Sequence, residues 1–250
     1  AQAIKKYLNF SNDNEFMINK GIKILIAISR FWEQRVNYSN ALNKYVILGV
    51  TGPNEYENNV DNNWYTNYSA KWCLEYTNQI LKKIADTNSD LYKKILKDTS
   101  LEKREISNWK KIIKNIYLPY CKNLDVFVQN DGFLNKDLQP ISKIPMDQRP
   151  INQHWSWDKI LRSPYIKQAD VLQGFYFFED DFSKDELLNN FNYYEQFTVH
   201  ESSLSACIHS ILASKANNLN KAYDYFVRAS RLDLDDYNKE IKQGLHITSM

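Results

Sequence analysis

The residue best suited to catalysis in this 250-residue chain is Glu55. It follows the breaker pair Gly52-Pro53, which ends regular structure, and it stands beside Asn54, with Trp64 nine residues farther on. A carboxyl group held on a stiff turn among aromatic rings loses hydration, so its neutral form is favoured and it can donate a proton to a leaving oxygen. Aromatic faces and amide donors suit a sugar, which makes Asn54 and Trp64 candidate substrate contacts. The alternative is a solvated glutamate in a polar surface loop.

A second polar pair, Lys167-Gln168, follows Pro164 at the predicted start of a helix. Side chains at such a position lie near the rim of the loops, where the pair offers donors to sugar hydroxyls. An ordinary solvated helix start explains the same residues.

A serine pair, Ser202-Ser203, precedes an apolar stripe that predicts another helix. The free N–H groups and the dipole of a helix N-terminus bind anions, although serines also cap helices there without any ligand. His200-Glu201 is not a zinc motif, because the partner position of H-E-x-x-H is occupied by Leu204. No metal-ligand cluster with zinc or calcium spacing is visible, so we expect no metal site.

Residues 50–67 resemble the signature of the maltose phosphorylases, a group within glycoside hydrolase family 65. That signature is a Gly-Pro-Asn-Glu-Tyr turn followed by an Asn-rich run and Trp-Tyr-Thr-Asn. Further matches follow in order at residues 149–157, at Lys167 and at Ser202, and the tail 244–249 is a fifth. Together they cover most of the chain.

The resemblance implies a role for each candidate. Glu55 is expected to be the general acid, and Lys167 and Gln168 are expected to hold the transferred glucose. The groups that the family would use for phosphate are Ser202, Ser203 and His246; a histidine in such a tail, taken alone, is more often structural.

The implied reaction is the inverting phosphorolysis of maltose to glucose and β-glucose 1-phosphate, with inorganic phosphate as co-substrate and without a cofactor. An inverting hydrolase needs a second carboxylate to activate water, whereas phosphate is already a charged nucleophile that only has to be positioned. Phosphorylases of kojibiose, nigerose or trehalose share the same acid and phosphate site, and a non-catalytic sugar-binding fragment is a further alternative.

The elements that must position these groups are helices. Apolar residues recur with helical spacing in many segments, and no βαβ alternation is visible, so the sequence predicts an all-α fold. Residues 21–36 are apolar on almost every side and predict a buried helix. The resemblance implies a partial (α/α)6 barrel with long functional loops on one rim. The other predicted helices are 66–85, 91–96, 102–118, 165–178, 185–195, 204–212 and 222–229.

Regular patterns fade between residues 126 and 162. Asp131-Gly132 has the turn chemistry of a hairpin, and prolines are frequent beyond it. The aromatic cluster His154-Trp-Ser-Trp157 in this segment is compatible with a wall for a sugar and equally with loop packing.

Composition excludes several classes of protein. The chain is 43% hydrophobic and 25% charged with a formal net charge of +2, which indicates neither a nucleic-acid nor a membrane surface. Three widely spaced cysteines are typical of a reduced, cytoplasmic protein. By the resemblance, residues 1–250 are an incomplete catalytic domain that lacks the family's N-terminal β-sandwich and its C-terminal end. We expect the isolated piece to be inactive and the parent to be a homodimer.

Overall fold

The computed structural model describes residues 1–237, 239 and 241–246. The chain divides into two compact units. The first unit comprises Ala1–Leu48 and Thr66–Leu118, and the second comprises Gly49–Tyr65 and Pro119–Met250.

Helices dominate the described part of the chain, as predicted, and the strands form two short antiparallel hairpins. The first half contains the helices α1 (Gln2–Ser11), α2 (Asn14–Phe16), a π-turn (Met17–Gly21), α3 (Ile22–Arg35), α4 (Trp64–Thr87), α5 (Ser89–Thr99) and α6 (Lys103–Asn115). The second half contains α7 (Ile151–His154), α8 (Trp157–Arg162), α9 (Val171–Phe177), α10 (Lys184–Glu195), α11 (Ser205–Lys215) and α12 (Leu219–Ser230). The strands are β1 (Asn37–Ser39), β2 (Lys44–Val46), β3 (Tyr120–Cys121) and β4 (Val126–Phe127), paired β1 with β2 and β3 with β4. Short 3-10 turns lie at Phe133–Asn135, Ile141–Lys143, Met146–Gln148, Glu179–Asp181 and Ile241–Gln243.

Local side-chain chemistry fixes several helix starts. The hydroxyl of Ser183 accepts a hydrogen bond from the backbone N–H of Glu186, and the Glu186 carboxylate accepts one from the N–H of Ser183. This capping box satisfies donors that the first turn of α10 would otherwise leave unpaired. At α6 the Glu105 carboxylate accepts from the N–H of Glu102 in the same way.

The first unit is held together by long-range side-chain hydrogen bonds as well as by apolar packing. Ser29 of α3 bonds Thr77 of α4 at 2.9 Å, and the Trp109 indole donates to Glu33 at 2.7 Å. The prediction that α3 is buried all round is wrong, because Phe31 is 56% exposed and only one face of the helix is covered. A continuous run of apolar residues does not by itself reveal how many neighbours a helix has.

The core of the second unit is built around Trp64, which is completely buried. Its indole stacks on Phe127 with ring centroids 4.7 Å apart, and it also contacts Phe175 and Phe182. A Cβ atom at Gly174 would lie only 2.4 Å from the indole, so a glycine is needed for this close approach. The interpretation of Trp64 as a sugar contact is therefore wrong, because the indole is fully buried among these rings and is not accessible to a sugar.

Two further local predictions differ from the structure. Helix α9 begins at Val171 rather than at residue 165, because the preceding residues pair with another segment. Asp131-Gly132 leads into a 3-10 turn instead of closing a hairpin. Among the described residues, none of the helices combines the length and the apolar character that a transmembrane span requires.

Candidate active site

Three segments of the second unit carry most of the predicted site residues. We call residues 53–57 the acid turn, residues 165–170 the Lys-Gln segment and residues 198–204 the serine loop. The acid turn lies within a loop whose two ends are joined by a pair of hydrogen bonds between Val50 and Val60, both 2.9 Å long. Contacts between the three segments fix their relative positions.

Asn54 is the residue that ties the acid turn to the Lys-Gln segment. Its side-chain oxygen accepts hydrogen bonds from the backbone N–H groups of Lys167 at 2.9 Å and Tyr56 at 3.2 Å. Its own N–H donates to the Asp170 carboxylate at 2.9 Å. The side chain is 1% exposed, and its Nδ2 has no hydrogen-bond partner among the described residues. Asn54 is thus first a brace, and its contact with a sugar stays a prediction.

Asp170 is a buried carboxylate at the base of the acid turn. Besides Asn54, it accepts a hydrogen bond from the Asn63 side chain at 2.8 Å. Burial raises the pKa of Asp170 to about 7, against the lowering effect of these two donors. A Cβ atom at Gly52 would meet the Asn63 amide at 2.4 Å and the Asp170 carboxylate at 2.5 Å, so the backbone passes these groups without room for a side chain.

Glu55 does not have the apolar surroundings that the sequence predicted. Its side chain is 56% exposed, and its carboxylate forms an ion pair with the ammonium group of Lys167 at 2.5 Å. The amide of Gln168 donates to the carbonyl of Pro53 at 2.9 Å. Lys167 and Gln168 therefore both contact the acid turn, one through a charge and one through the backbone.

The serine loop runs alongside the Lys-Gln segment. Ile166 forms an isolated parallel bridge with Thr198, with hydrogen bonds of 2.9 Å from Ile166 N–H to the Phe197 carbonyl and from Val199 N–H to the Ile166 carbonyl. The N–H of Glu201 then donates to the carbonyl of Lys167 at 3.2 Å. The predicted sugar-binding pair and the predicted phosphate-binding loop are thus neighbours along their backbones.

Ser202 and Ser203 lie immediately before α11, as predicted. The Ser202 hydroxyl accepts from the N–H of Leu204 at 3.2 Å, and Leu204 itself, at the N-cap position, makes no side-chain capping hydrogen bond. Both serines are only partly buried. The arrangement leaves the amino end of an 11-residue helix beside two hydroxyl groups, which suits an anion.

His246 is held by Asp233 rather than by the serine loop. Its ring Nδ1 lies 2.7 Å from one Asp233 oxygen, its backbone N–H donates to the other, and the pKa of Asp233 is lowered mainly by the hydrogen bond from the ring. Within the described residues no hydrogen bond joins His246 to Ser202 or Ser203. The rest of its motif, residues 247–249, lies outside the described residues.

The two tryptophans of the aromatic cluster at residues 154–157 have different surroundings. Trp155 packs against Tyr165 with ring centroids 5.7 Å apart and donates its indole N–H to Gln148 at 2.8 Å. Trp157 is 49% exposed and meets Tyr56 of the acid turn edge-on.

Glu201 is a residue whose importance the sequence did not show. Its carboxylate is buried and accepts hydrogen bonds from the Tyr56 hydroxyl, from the N–H of Ile151 at 2.7 Å and from the N–H of Asn152 at 3.4 Å. No local sequence pattern indicates this role, because the partners of Glu201 lie 145, 50 and 49 residues away.

A second group of buried ionisable residues lies behind the serine loop. Glu195 accepts hydrogen bonds from His209 at 2.7 Å, from Lys221 at 2.9 Å and from the Tyr225 hydroxyl. Tyr225 also bonds Nε2 of His200 at 2.7 Å. Burial alone would raise the pKa of Glu195, but its interactions with His200 and His209 outweigh burial and hold that pKa well below the usual range.

His200 connects this cluster to the serine loop. Its Nδ1 lies 2.8 Å from the Ser205 hydroxyl, and its carbonyl accepts from Arg228 at 2.6 Å. Its backbone is in the left-handed region with φ of 55°, which is uncommon outside glycine and asparagine. Burial lowers the pKa of His200 to about 4.

The geometry of this cluster is that of a hydrogen-bonded network. The ligand atoms of Glu195, His200 and His209 lie within 4.8 Å of one another, a spacing that could hold a metal ion. One Glu195 oxygen, however, is engaged by the Lys221 ammonium and Tyr225, and the other by His209 at 2.7 Å. The Lys221 ammonium group already balances the charge of the Glu195 carboxylate, so we assign no metal to the cluster.

His200 and Asp170 give the folded chain opposite dependences on pH. Between pH 6.5 and about 4, His200 takes up a proton in the unfolded chain but not in the folded one. Its contribution to the free energy of unfolding is therefore complete above pH 6.5 and is lost as the pH falls. Between pH 3.8 and about 7, Asp170 keeps its proton in the folded chain but loses it in the unfolded one. Its contribution to the free energy of unfolding is therefore complete below pH 3.8 and is lost as the pH rises toward 7. Each amounts to roughly 3 to 4 kcal/mol.

Single substitutions are expected to separate these two effects. Asparagine tolerates the left-handed backbone of position 200. In His200→Asn the thermal midpoint should decrease as the pH rises from 4.5 to 7, because only the Asp170 contribution remains. With Asp170→Asn it should rise over the same interval. Differential scanning calorimetry across this range provides the measurement, with the wild-type protein as the reference. Parallel slopes for the two variants would contradict the assignment.

Comparison with known proteins shows which family the chain resembles. The model of the glycosyl hydrolase family 65 central catalytic domain matches residues 1–250. The maltose phosphorylase of Bacillus subtilis is 50% identical over 248 residues, and the α,α-trehalose phosphorylase of Thermoanaerobacter brockii is 44% identical over 249 residues. Each alignment covers 99% of this chain and 32% of the relative, so the chain spans about a third of the length of these proteins.

A solved structure gives the same picture. It is a protein from the human microbiome, proposed to be a kojibiose phosphorylase, which superposes with a TM-score of 0.89 at 40% identity. The match covers 99% of this chain and 32% of that one, and it confirms the predicted fold class, that of the helical (α/α)6-barrel catalytic domain. Since the family model matches every residue, the chain belongs to the central catalytic domain of glycosyl hydrolase family 65.

Proposed function

We propose that this chain is the central part of a longer disaccharide phosphorylase, and that its substrate is maltose. The products would be glucose and β-glucose 1-phosphate, formed with inversion at the anomeric carbon. Support comes from the similar proteins, which are named as phosphorylases of maltose, trehalose, kojibiose and nigerose at 50%, 44%, 39% and 31% identity.

The observation that carries the proposal is the direct connection between the acid turn and the serine loop. Glu55 is paired with Lys167, whose carbonyl accepts from Glu201, and Glu201 in turn bonds Tyr56. The residue before Ser202 and the residue after Glu55 are therefore in contact. A proton donor and an anion site that are held this way can act on one sugar ring between them.

In the proposed reaction Glu55 gives its proton to the glycosidic oxygen as the bond from that oxygen to the anomeric carbon breaks. A phosphate oxygen, with phosphate bound at Ser202 and Ser203, forms the new bond from the opposite face. His246 would add a third phosphate contact, and the hydrogen bond between Asp233 and its Nδ1 fixes the orientation of the ring.

Phosphate is favoured over water as the nucleophile because the nearby buried carboxylates are occupied. Glu57 accepts from Gln129 at 2.7 Å and pairs with Lys136, and Asp170 accepts two hydrogen bonds in the core. The Glu201 carboxylate is equally engaged. A hydrolase of the inverting kind needs a carboxylate that is free to activate water.

Lys167 and Gln168 would hold the donor glucose in this scheme, with Asn54 beside them. Lys167 is bound to Glu55 in the structure, so a sugar hydroxyl that takes over the ammonium group would release the acid for its task. The proton that Glu55 donates to the glycosidic oxygen would come from solvent, after this ion pair is broken.

A second candidate is a phosphorylase for another α-glucobiose, namely kojibiose, nigerose or trehalose. The relatives that act on these sugars match almost the whole chain, so the acid and the phosphate loop do not discriminate between them. A sugar-binding module without turnover is the remaining alternative, and we expect the isolated 250-residue chain to behave in this way.

The deciding experiment is an assay of the full-length protein with maltose, kojibiose, nigerose and trehalose, each with and without inorganic phosphate. We expect rapid release of glucose from maltose only when phosphate is present, with β-glucose 1-phosphate detected by NMR. Equal rates with and without phosphate would indicate a hydrolase, and a faster rate with another disaccharide would reassign the substrate.

A further inference from the structure

The Glu201 carboxylate connects parts of the chain that are far apart in sequence. It is 7% exposed and takes hydrogen bonds from the Tyr56 hydroxyl of the acid turn and from the N–H groups of Ile151 and Asn152. Its backbone N–H donates to Lys167 at 3.2 Å. One residue of the serine loop thus contacts the acid turn, the Lys-Gln segment and the first turn of α7.

These contacts leave the Glu201 side chain without freedom to move. An ionised carboxylate can only accept hydrogen bonds, and here it faces donors from two segments, so both oxygens are engaged. Tyr56 is 2% exposed and packs in the cluster formed with Ile144, Ile151, Ile160 and Tyr165. The donor is therefore as fixed as the acceptor, and Glu201 is unsuited to abstract a proton from substrate or water.

We call the hydrogen bond from the Tyr56 hydroxyl to the Glu201 carboxylate the bridge; its two residues are sequence neighbours of the proposed catalytic and phosphate-binding residues. Tyr56 directly follows Glu55, and Glu201 directly precedes Ser202. On the other side Glu201 follows His200, whose backbone and ring are held by Arg228, Ser205 and Tyr225. The bridge therefore lies one residue from the proposed acid and one residue from the proposed phosphate ligand.

We propose that Glu201 is a positioning residue: through its hydrogen bond with the Tyr56 hydroxyl, it fixes the position of the serine pair relative to Glu55. This inference rests on the proposed phosphorolysis. Attack by phosphate and departure of the protonated oxygen must occur on opposite faces of one carbon, and small errors in such alignment are costly. Glu201 would act on phosphate only through the loop that it anchors, without touching the reacting atoms.

The test is a double-mutant cycle in the full-length enzyme with Tyr56→Phe, Glu201→Gln and both together. Each single variant should raise KM for phosphate and lower kcat, by roughly tenfold in kcat/KM for phosphate, while KM for the disaccharide changes less. The double variant should be no worse than Glu201→Gln alone, because the two residues act as one contact.

Tyr194→Phe is the matched control, since it removes another buried tyrosine hydroxyl, which donates to the Phe127 carbonyl at 2.5 Å. We expect it to lower the thermal midpoint about as much as Tyr56→Phe without changing KM for phosphate. If Glu201→Gln fails to fold, Glu201→Asp keeps the charge with a shorter reach and should show the same loss in milder form.

Three results would overturn the inference. One is that the effects of Tyr56→Phe and Glu201→Gln simply add, and another is that Tyr56→Phe behaves kinetically like Tyr194→Phe. The third is wild-type enzyme that cleaves its disaccharide without phosphate, which would remove the proposed function as well. Because the wild type is assayed first, this last failure is distinguishable from a failure of the bridge.

Discussion

Glu55→Gln is expected to lower kcat of the full-length enzyme by roughly 10²- to 10⁴-fold, the usual contribution of a general acid. The amide has nearly the same shape but cannot transfer a proton to the glycosidic oxygen. Binding of the disaccharide should change little, because the amide preserves the size of the side chain and the proton is transferred only as the bond breaks. Steady-state kinetics with phosphate and a direct titration of maltose by calorimetry would measure the two quantities separately.

Glu179→Gln is the appropriate control for this substitution. Glu179 is also a half-exposed glutamate paired with a lysine, Lys215, but it lies outside the three segments of the candidate site. Its variant should retain wild-type kinetics. Substantial turnover by Glu55→Gln, or an equal loss in both variants, would remove Glu55 from the role of acid.

Glu195→Gln is expected to cause the largest loss of stability. The Glu195 carboxylate is the shared acceptor for His209, Lys221 and Tyr225, and removal of one partner from a buried charged network typically costs about 3 to 5 kcal/mol. The lower end applies here because the Lys221 side chain is 38% exposed. Calorimetry of the full-length protein should show a thermal midpoint lower by several degrees.

The same helix offers a control. Glu186→Gln keeps the capping box of α10, since glutamine also serves at that position, and should change the midpoint little. If both variants were equally stable, Glu195 would be a peripheral group rather than the centre of the network. Glu195→Gln should also loosen the serine loop and raise KM for phosphate, because His200 of that loop is hydrogen-bonded to Tyr225 of the network.

The helical part of the fold could be predicted because periodicity is a local property. Helices α4, α5, α6, α10, α11 and α12 lie where apolar spacing placed them, within a few residues. Helix α9 was predicted to begin too early. Residues 165–170 are kept out of the helix by the bridge between Ile166 and Thr198 and by the Asn54 side chain, which accepts from Lys167 N–H. A helix-like sequence cannot reveal a competing partner more than 100 positions away.

The sequence singled out residues for the candidate site, but it did not indicate their surroundings. Asn54, Glu55, Lys167, Gln168 and the serine pair were singled out by residue type and family resemblance, and the structure brings their segments together. What the sequence missed is what holds them: Asp170 and Glu201 have partners 116 and 145 residues away. For the same reason an indole among asparagines suggested a sugar contact, whereas Trp64 is the centre of a core.

The crowded passage of the chain at Gly52 has a consequence for the catalytic cycle. A methyl group at Gly52 would collide with the Asn63 amide and the Asp170 carboxylate. The backbone that leads to Glu55 therefore has no space in which to rotate. Any reorientation of the acid between the resting and the reacting state must then come from torsions of its own side chain. Structures with and without bound sugar should accordingly superpose at the Cα of Glu55 and differ in its rotamer.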